Sequence, residues 1–134
     1  LMTNRGAPLI YYGDEIGLAG AGDPDNRRMM DWNAGGYNSG QKWLLDRMKK
    51  LGAIRKAHSS LRRGTRTTLS QSDDTWAYSM VDGTDTVYVA VNRSDSARSV
   101  SGLPAMALTD QVSGASTSGP TITVPARGFV ILAK

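Results

Sequence analysis

The sequence has no cysteine and a single histidine, His58, which excludes disulfide frameworks, thiolate metal sites and cysteine nucleophiles and leaves histidine chemistry one candidate. No apolar run approaches the ~20 residues that cross a bilayer, and no basic start leads into an apolar core with a small-residue cleavage site. No membrane partner and no targeting segment are therefore expected. Absence of cysteine is shared by intracellular proteins and bacterial secreted enzymes, so the compartment stays open between the cytoplasm and the cell exterior. Gly17, Gly20 and Gly22 precede Asp23, yet no Gly-Lys-Ser/Thr follows and the dinucleotide spacing is missing, which removes a phosphate cradle. Asp23, Asp25, Asn26 and Asp31 lack the alternating ligands, central glycine and terminal glutamate of a calcium loop. Turn capping is their expected role, and no metal or cofactor is predicted.

What is present is the composition of a globular protein, 40% hydrophobic and 21% charged over 134 residues. The net charge of +4 is concentrated in Lys49, Lys50, Arg55, Lys56, Arg62, Arg63 and Arg66. These lie on and just after an amphipathic helical pattern and no aromatic is interleaved among them, so they read as a solvated outer face rather than a nucleic-acid surface.

Along the chain, Ala7 to Tyr12 is apolar on both faces, the pattern of a buried parallel strand, and Gly13 ends it. Asp14 and Glu15 follow. As neighbours in an extended chain they point apart and do not form the opposed carboxylate pair of glycoside hydrolysis; one of them is expected to be a buried, hydrogen-bonded structural carboxylate. A long polar, glycine-rich loop then runs to Asn38, and loops after buried parallel strands are where α/β folds place their sites. The helix that follows has Asn38 as N-cap, Gln41 as its reciprocal partner and Gly64 as its stop. Leu44, Met48, Leu51, Ile54, His58 and Leu61 share one face, which makes His58 a packed core residue, while Asp46 and Lys50 form an outer pair. Gly52 within this helix is expected to permit close packing.

After Gly64 the apolar period changes from 3.6 to 2. Trp76, Tyr78 and Met80 alternate with Ala77, Ser79 and Val81, Asp82-Gly83 turns the chain, and Val87, Val89 and Val91 return. Further strands are predicted at Ser99 to Leu103, Met106 to Val112, Thr121 to Val124 and Phe129 to Ala133, with Ser113 to Gly119 as a loop. Six or seven short strands argue for a small antiparallel sandwich or barrel. Asn92-Arg93-Ser94 fits a glycosylation acceptor, a pattern frequent by chance. One β-loop-α unit cannot cover both faces of its own strand, so the front piece is expected to belong to something larger.

Within the loop, Asp23-Pro24-Asp25-Asn26-Arg27 brings an acceptor-only Asp and a donor-only Arg to one side of a turn. Such a pair either grips vicinal sugar hydroxyls or is an intraloop salt bridge that shapes the turn; the residues alone leave both open.

Gly6 to Gly17 (GAPLIYYGDEIG), then Gly22-Asp23-Pro24-Asp25-Asn26-Arg27-Arg28 and Trp32, resemble the last barrel strand and following loop of the α-amylase family of glycoside hydrolases. Ile54 to His58 with Leu61-Arg62 look like that family's final barrel helix, and Asp85 to Ser94 and Val124 to Leu132 like its C-terminal β-domain. The resemblance implies an α+β chain: the last β-loop-α unit of a (β/α)8 barrel in residues 1–64, then an antiparallel β-sandwich in residues 65–134. It implies action on α-linked glucans by a retaining mechanism whose Asp nucleophile, Glu acid/base and second Asp lie on earlier strands. The Asn-His-Asp segment carrying the last of these is absent, so no catalytic residue is assigned and the chain alone is expected to be inactive. The resemblance favours sugar contact for Asp23 and Arg27, as substrate-binding residues on the non-reducing side. The expected partners are an α-glucan and the remaining barrel, on which residues 1 to about 40 should pack unless they lack order. The alternative is a non-catalytic β-module binding glucan or a partner protein through Trp76, Tyr78 and Tyr88.

Overall fold

The computed structural model describes all residues, Leu1 to Lys134. Helix α1, Ser39–Ala57, begins in the predicted capping box: the Gln41 N–H donates to Asn38 Oδ1 at 3.0 Å and the Asn38 N–H to Gln41 Oε1 at 3.1 Å. It ends earlier than predicted. His58 is extended (φ −105°, ψ 111°), and the chain resumes in the single turn α2, Ser60–Arg63, which Gly64 closes. The cause is a carboxylate from outside the helix. Asp85 accepts the Ser60 N–H at 2.8 Å, replacing the partner a continuing helix would have given that group, and also stands 2.8 Å from the His58 side-chain Nδ1. His58 is consequently a half-buried residue hydrogen-bonded to Asp85, not part of the core. Gly64 is needed because a Cβ there would overlap the carbonyl oxygens of Ser60 and Val81.

Eight strands follow: β1 Thr65–Gln71, β2 Thr75–Asp82, β3 Asp85–Asn92, β4 Arg98–Val100, β5 Ala107–Asp110, β6 Ser116–Ser118, β7 Ile122–Val124 and β8 Phe129–Ala133. Six form an antiparallel sheet in the order β1-β2-β3-β8-β5-β6, and β4 pairs with β7 in a second, two-stranded sheet. The predicted hairpin is present: Asp82 pairs with Asp85 around a two-residue turn in which Gly83 takes φ 61°, a value that favours glycine. Two strands were not expected. β1 is polar (TRTTLSQ) and lacks apolar alternation, and β6 lies within the stretch read as a loop, where it pairs with β5 through Leu108 and Thr117.

The alternation of β2 and β3 decides the packing. Tyr78, Met80, Val87 and Val89 face the helical side and form a core with Ile54, Leu61, Val112 and Ile131. The smaller Ala77 and Ala90 face the other way, against Val100, Leu108, Ile122, Val124 and Leu132 beneath the two-stranded sheet. Each fully buried aliphatic in these layers contributes about 1.5–3 kcal/mol. The sheet is thus covered on both faces, by helix on one and by β4–β7 on the other. Trp76 and Tyr78 lie on the helical side and Tyr88 on the opposite side, so the three aromatics do not form one platform.

Other local expectations are corrected. Leu51, Ile54 and Leu61 reach the core, whereas Leu44 and Met48 are only half-buried. A Cβ on Gly52 would meet nothing within 4 Å, so this glycine permits no close packing. The chain's ion pairs do not include Asp46–Lys50. Ala7 to Tyr12 is not a strand. A parallel strand needs hydrogen-bonded neighbours on its edges; here none is available, and Leu9, Ile10, Tyr11 and Tyr12 are exposed.

Candidate functional site

Residues 1–38 form an arm of turns fastened to the folded part at a few points. The main one is Arg55, read from sequence as a solvated face residue but in fact buried. Its guanidinium donates to the carbonyls of Met2 (2.8 Å), Asn4 (2.8 Å), Leu61 (2.6 Å) and Gly6. Burial, and secondarily the nearby Arg62, push its pKa down from the usual arginine value, but that value is high enough that the group stays charged. Thr3 Oγ1 lies 2.7 Å from Tyr78 Oη, Arg66 donates to Asn4 Oδ1 at 3.1 Å, and the Gly6 N–H donates to Arg62 O at 3.1 Å.

Beyond Gly6 the arm turns at Gly13 (φ 91°) into a 3-10 turn, Asp14–Ile16, whose Ile16 is buried. The two carboxylates fold back onto the preceding backbone. Asp14 Oδ2 accepts the Tyr11 N–H at 3.2 Å and Glu15 Oε2 accepts the Gly13 N–H at 2.9 Å. The hydrogen-bonded role is present for both, but the expected burial is not: they occupy a turn rather than an extended segment, Asp14 is exposed and Glu15 only half-buried.

The loop that follows is built around Asp25. Its carboxylate accepts the Ala21 N–H at 2.8 Å and a two-pronged contact from Arg28, Nε at 2.7 Å and Nη2 at 2.8 Å. The Arg28 hydrogen bonds first, then the Ala21 N–H, hold the Asp25 carboxyl below its ordinary range. Asp23 and Arg27 are brought together as well, Oδ1 to Nε at 3.1 Å, with both side chains more than half exposed. Further along, Asp31 caps the Asn33 N–H at 2.8 Å and Tyr37 Oη donates to Asp31 O. Of the four residues expected to cap turns, Asp25 and Asp31 hold backbone N–H groups, whereas Asp23 only pairs with Arg27 and the Asn26 side chain caps nothing. No group of three or more His, Cys, Asp or Glu side chains is placed to hold a metal ion.

A cleft of about 290 Å³ opens beside this loop, lined among others by Tyr11, Tyr12, Asp14, Leu18, Asn26 and Arg28. The Tyr11 and Tyr12 rings lie 4.6 Å apart and tilted. Desolvation, then the Tyr11 hydroxyl, push the Tyr12 phenol up, so it stays a neutral hydrogen-bonding group. The arrangement offers aromatic surface, an amide and a guanidinium held in place by its own carboxylate. It has no nucleophile next to a base. Asp23 and Arg27 stand on the loop outside the lining of this cleft, whereas Arg28 of the better-formed Asp25–Arg28 pair lines it. That pair's only trace in the sequence is the three-residue spacing across a 3-10 turn.

No protein-family model matches the chain. It is 35% identical over 142 aligned positions to a cyclomaltodextrinase of Geobacillus thermopakistaniensis, covering 98% of this chain and 24% of that protein. It is 38% identical to a cyclomaltodextrin glucanotransferase of Geobacillus stearothermophilus, covering 97% of this chain and 18% of the relative. The crystal structure of an Anoxybacillus α-amylase superposes with a TM-score of 0.84 at 28% identity, over 98% of this chain and 30% of the other. The chain belongs to the α-amylase family. It spans about a quarter or less of the curated relatives' length and matches the C-terminal portion of these α-amylase family enzymes. Its combination of a helix with an antiparallel sheet agrees with the C-terminal domain of the α-amylase family.

Proposed function

We propose that this chain is the C-terminal part of an α-amylase-type enzyme acting on α-linked glucans, and that it contributes a substrate-contact loop and a stabilising β-domain while the catalytic carboxylates come from the rest of the barrel. In this reading residues 1–64 are the last β-loop-α unit of the barrel and residues 65–134 a separate β-domain. Asp23 and Arg27 hold a sugar on the non-reducing side of the cleavage point. The observation that carries the reading is the arm itself. Leu9, Met29 and Trp32 are 85%, 91% and 83% exposed, far more than a finished surface leaves of large apolar side chains in one segment, and Ala7 to Tyr12 has a strand's composition without a neighbouring strand. A barrel of about 250 residues would cover these side chains and pair that backbone. The relatives' names, cyclomaltodextrinase and cyclomaltodextrin glucanotransferase, supply the substrate class.

The test is a chimera in which residues 1–134 replace the corresponding part of the Geobacillus cyclomaltodextrinase. Hydrolysis of maltoheptaose by the chimera and none by the chain alone is the expected result. Hydrolysis by the isolated chain, or a folded chimera without activity, would overturn the proposal.

A further inference from the structure

We propose that the cleft between Arg47 of α1 and the open edge of β8 is a binding site for a small organic acid, a carboxylate carried on an apolar body. The inference stands on the walls of this cleft and not on the function proposed above.

The cleft exists because β5 is short. This strand pairs with β8 only at Thr109↔Ala133 and Asp110↔Leu132; the Gln111 N–H adds one bond to Ile131 O at 2.7 Å, and the chain then turns away at Gly114 (φ 78°) into β6. Phe129 and Val130, at the start of β8, therefore have β3 on one side and the cleft on the other. Its volume is about 450 Å³, within the range of small-ligand sites. All of its walls come from residues 110–132 except Arg47, which enters from α1. Ile122, Phe129 and Val130 supply apolar surface, and Ser116, Thr117 and Thr123 supply hydroxyls that make no side-chain hydrogen bond within the protein.

Arg47 selects the charge of the ligand. Its guanidinium carbon lies 5.1 Å from the centroid of the Trp43 ring and 5.9 Å from that of Phe129, which holds the half-buried group at the mouth of the cleft. Ring faces offer no oxygen acceptor, and Arg47 takes part in none of the chain's ion pairs and in no side-chain hydrogen bond, so five N–H donors have no acceptor in the protein. Asp110, the one acid in the lining, is not its counter-ion: its oxygens accept the N–H groups of Val112, Ser113 and Ile131 and the Ser113 hydroxyl. A planar fork of this kind matches a carboxylate with two parallel hydrogen bonds. The remaining walls select the body. A bare anion would leave the apolar surface wet, and a neutral polyol would leave the guanidinium without a counter-charge; an aryl or alkyl carboxylate satisfies both.

The experiment is a titration of the ¹⁵N-labelled chain with phenylbutyrate at constant ionic strength, following the Arg47 Nε–H, the Trp43 indole N–H and the backbone N–H groups of Thr117 and Phe129. Saturable movement of these four signals is expected. Phenylbutanol, which keeps the apolar body and lacks the charge, and inorganic phosphate, which keeps a charge and lacks the body, should each bind about tenfold more weakly or worse. Arg47→Gln, which removes no hydrogen bond or ion pair, should weaken phenylbutyrate by a similar factor while the amide spectrum away from the cleft stays in place. Immobile signals up to the solubility limit of the acid would overturn the site. Equal affinity for phenylbutanol on the unaltered chain, or unchanged affinity for phenylbutyrate in Arg47→Gln, would overturn the assignment of a carboxylate. Equal affinity for phosphate would overturn the role of the apolar walls.

Discussion

His58 Nδ1 stands 2.8 Å from Asp85 Oδ1, tying the point where α1 ends to the first residue of β3. Burial pushes the Asp85 carboxyl up, but the hydrogen bonds from His58 and the Ser60 N–H outweigh it and leave the group below the usual carboxylate range. Asp110 is similar: burial is opposed by the Ser113 hydroxyl and by the N–H groups of Val112, Ile131 and Ser113, again with a net lowering. A lowered carboxyl pKa gives stability that is complete above the ordinary value of about 3.9 and is lost as pH falls through the lower folded-state value. The urea midpoint should therefore drop steeply below about pH 4, and Asp85→Asn and Asp110→Asn should each flatten that acid limb. Parallel curves for the three proteins would remove these carboxylates from the acid response.

Arg55→Ala leaves the carbonyls of Met2, Asn4, Gly6 and Leu61 without their donor and should cost on the order of 3 kcal/mol. Arg55→Lys should recover little, because an ammonium cannot serve four carbonyls from one planar fork. Amide exchange in residues 2–6 reads the effect directly, and protection unchanged in both variants would contradict the role.

An exposed ion pair contributes about 0–1 kcal/mol, so Asp23→Ala with Arg27→Ala should leave the unfolding midpoint nearly unmoved. In the active chimera the same double change should lower kcat/KM on maltoheptaose about tenfold or more. A clear stability loss with unchanged kinetics would reduce the pair to a turn-shaping salt bridge.

The two glycines that frame the helical segment should respond in opposite directions. Gly52→Ala adds a methyl group into open space and should stabilise the chain by about 0.5–1 kcal/mol. Gly64→Ala drives a methyl group into two backbone carbonyls and should destabilise it by more than about 2 kcal/mol. Thermal unfolding of the two variants decides both.

Asn92 matches a glycosylation acceptor in sequence, yet it is 3% exposed and its amide is committed to three carbonyls. Asn92→Ala should cost about 2–3 kcal/mol, and expression in a glycosylating host should leave the mass of the folded protein unchanged. A glycan at this position would mean that the residue is accessible before the β-domain closes.

The parts of the fold legible in the sequence are those whose cause is local. The capping box at Asn38 and the Asp82 to Asp85 hairpin each depend on residues within a few positions of one another. What was not legible depends on distant partners. The break at His58 comes from Asp85, and the apolar stripe from Ile54 to Leu61 runs across it without a sign. Arg55 has the sequence neighbourhood of a surface residue, and only the carbonyls of the arm explain its burial. β1 carries no apolar alternation and exists because β2 offers it an edge. The converse holds for Ala7 to Tyr12, whose strand composition is realised only beside neighbours. At the site, turn-capping was legible for Asp25 and Asp31 but not the ion pair that Asp23 makes instead, and the stronger pair was concealed because Asp25 and Arg28 meet only when the 3-10 turn winds between them.

The grip of Arg55 on Gly6 also bears on how this region tolerates change. The residues between these two anchors are held at both ends, so a cut at an exposed position such as Met29 would leave two pieces still joined through the guanidinium. For the same reason, length added there adds slowly to the cost of closure, about 0.6 kcal/mol for each doubling of a flexible loop. Insertions and deletions between Leu18 and Asn33 can therefore reshape the loop while the helix and sheet beneath keep their positions.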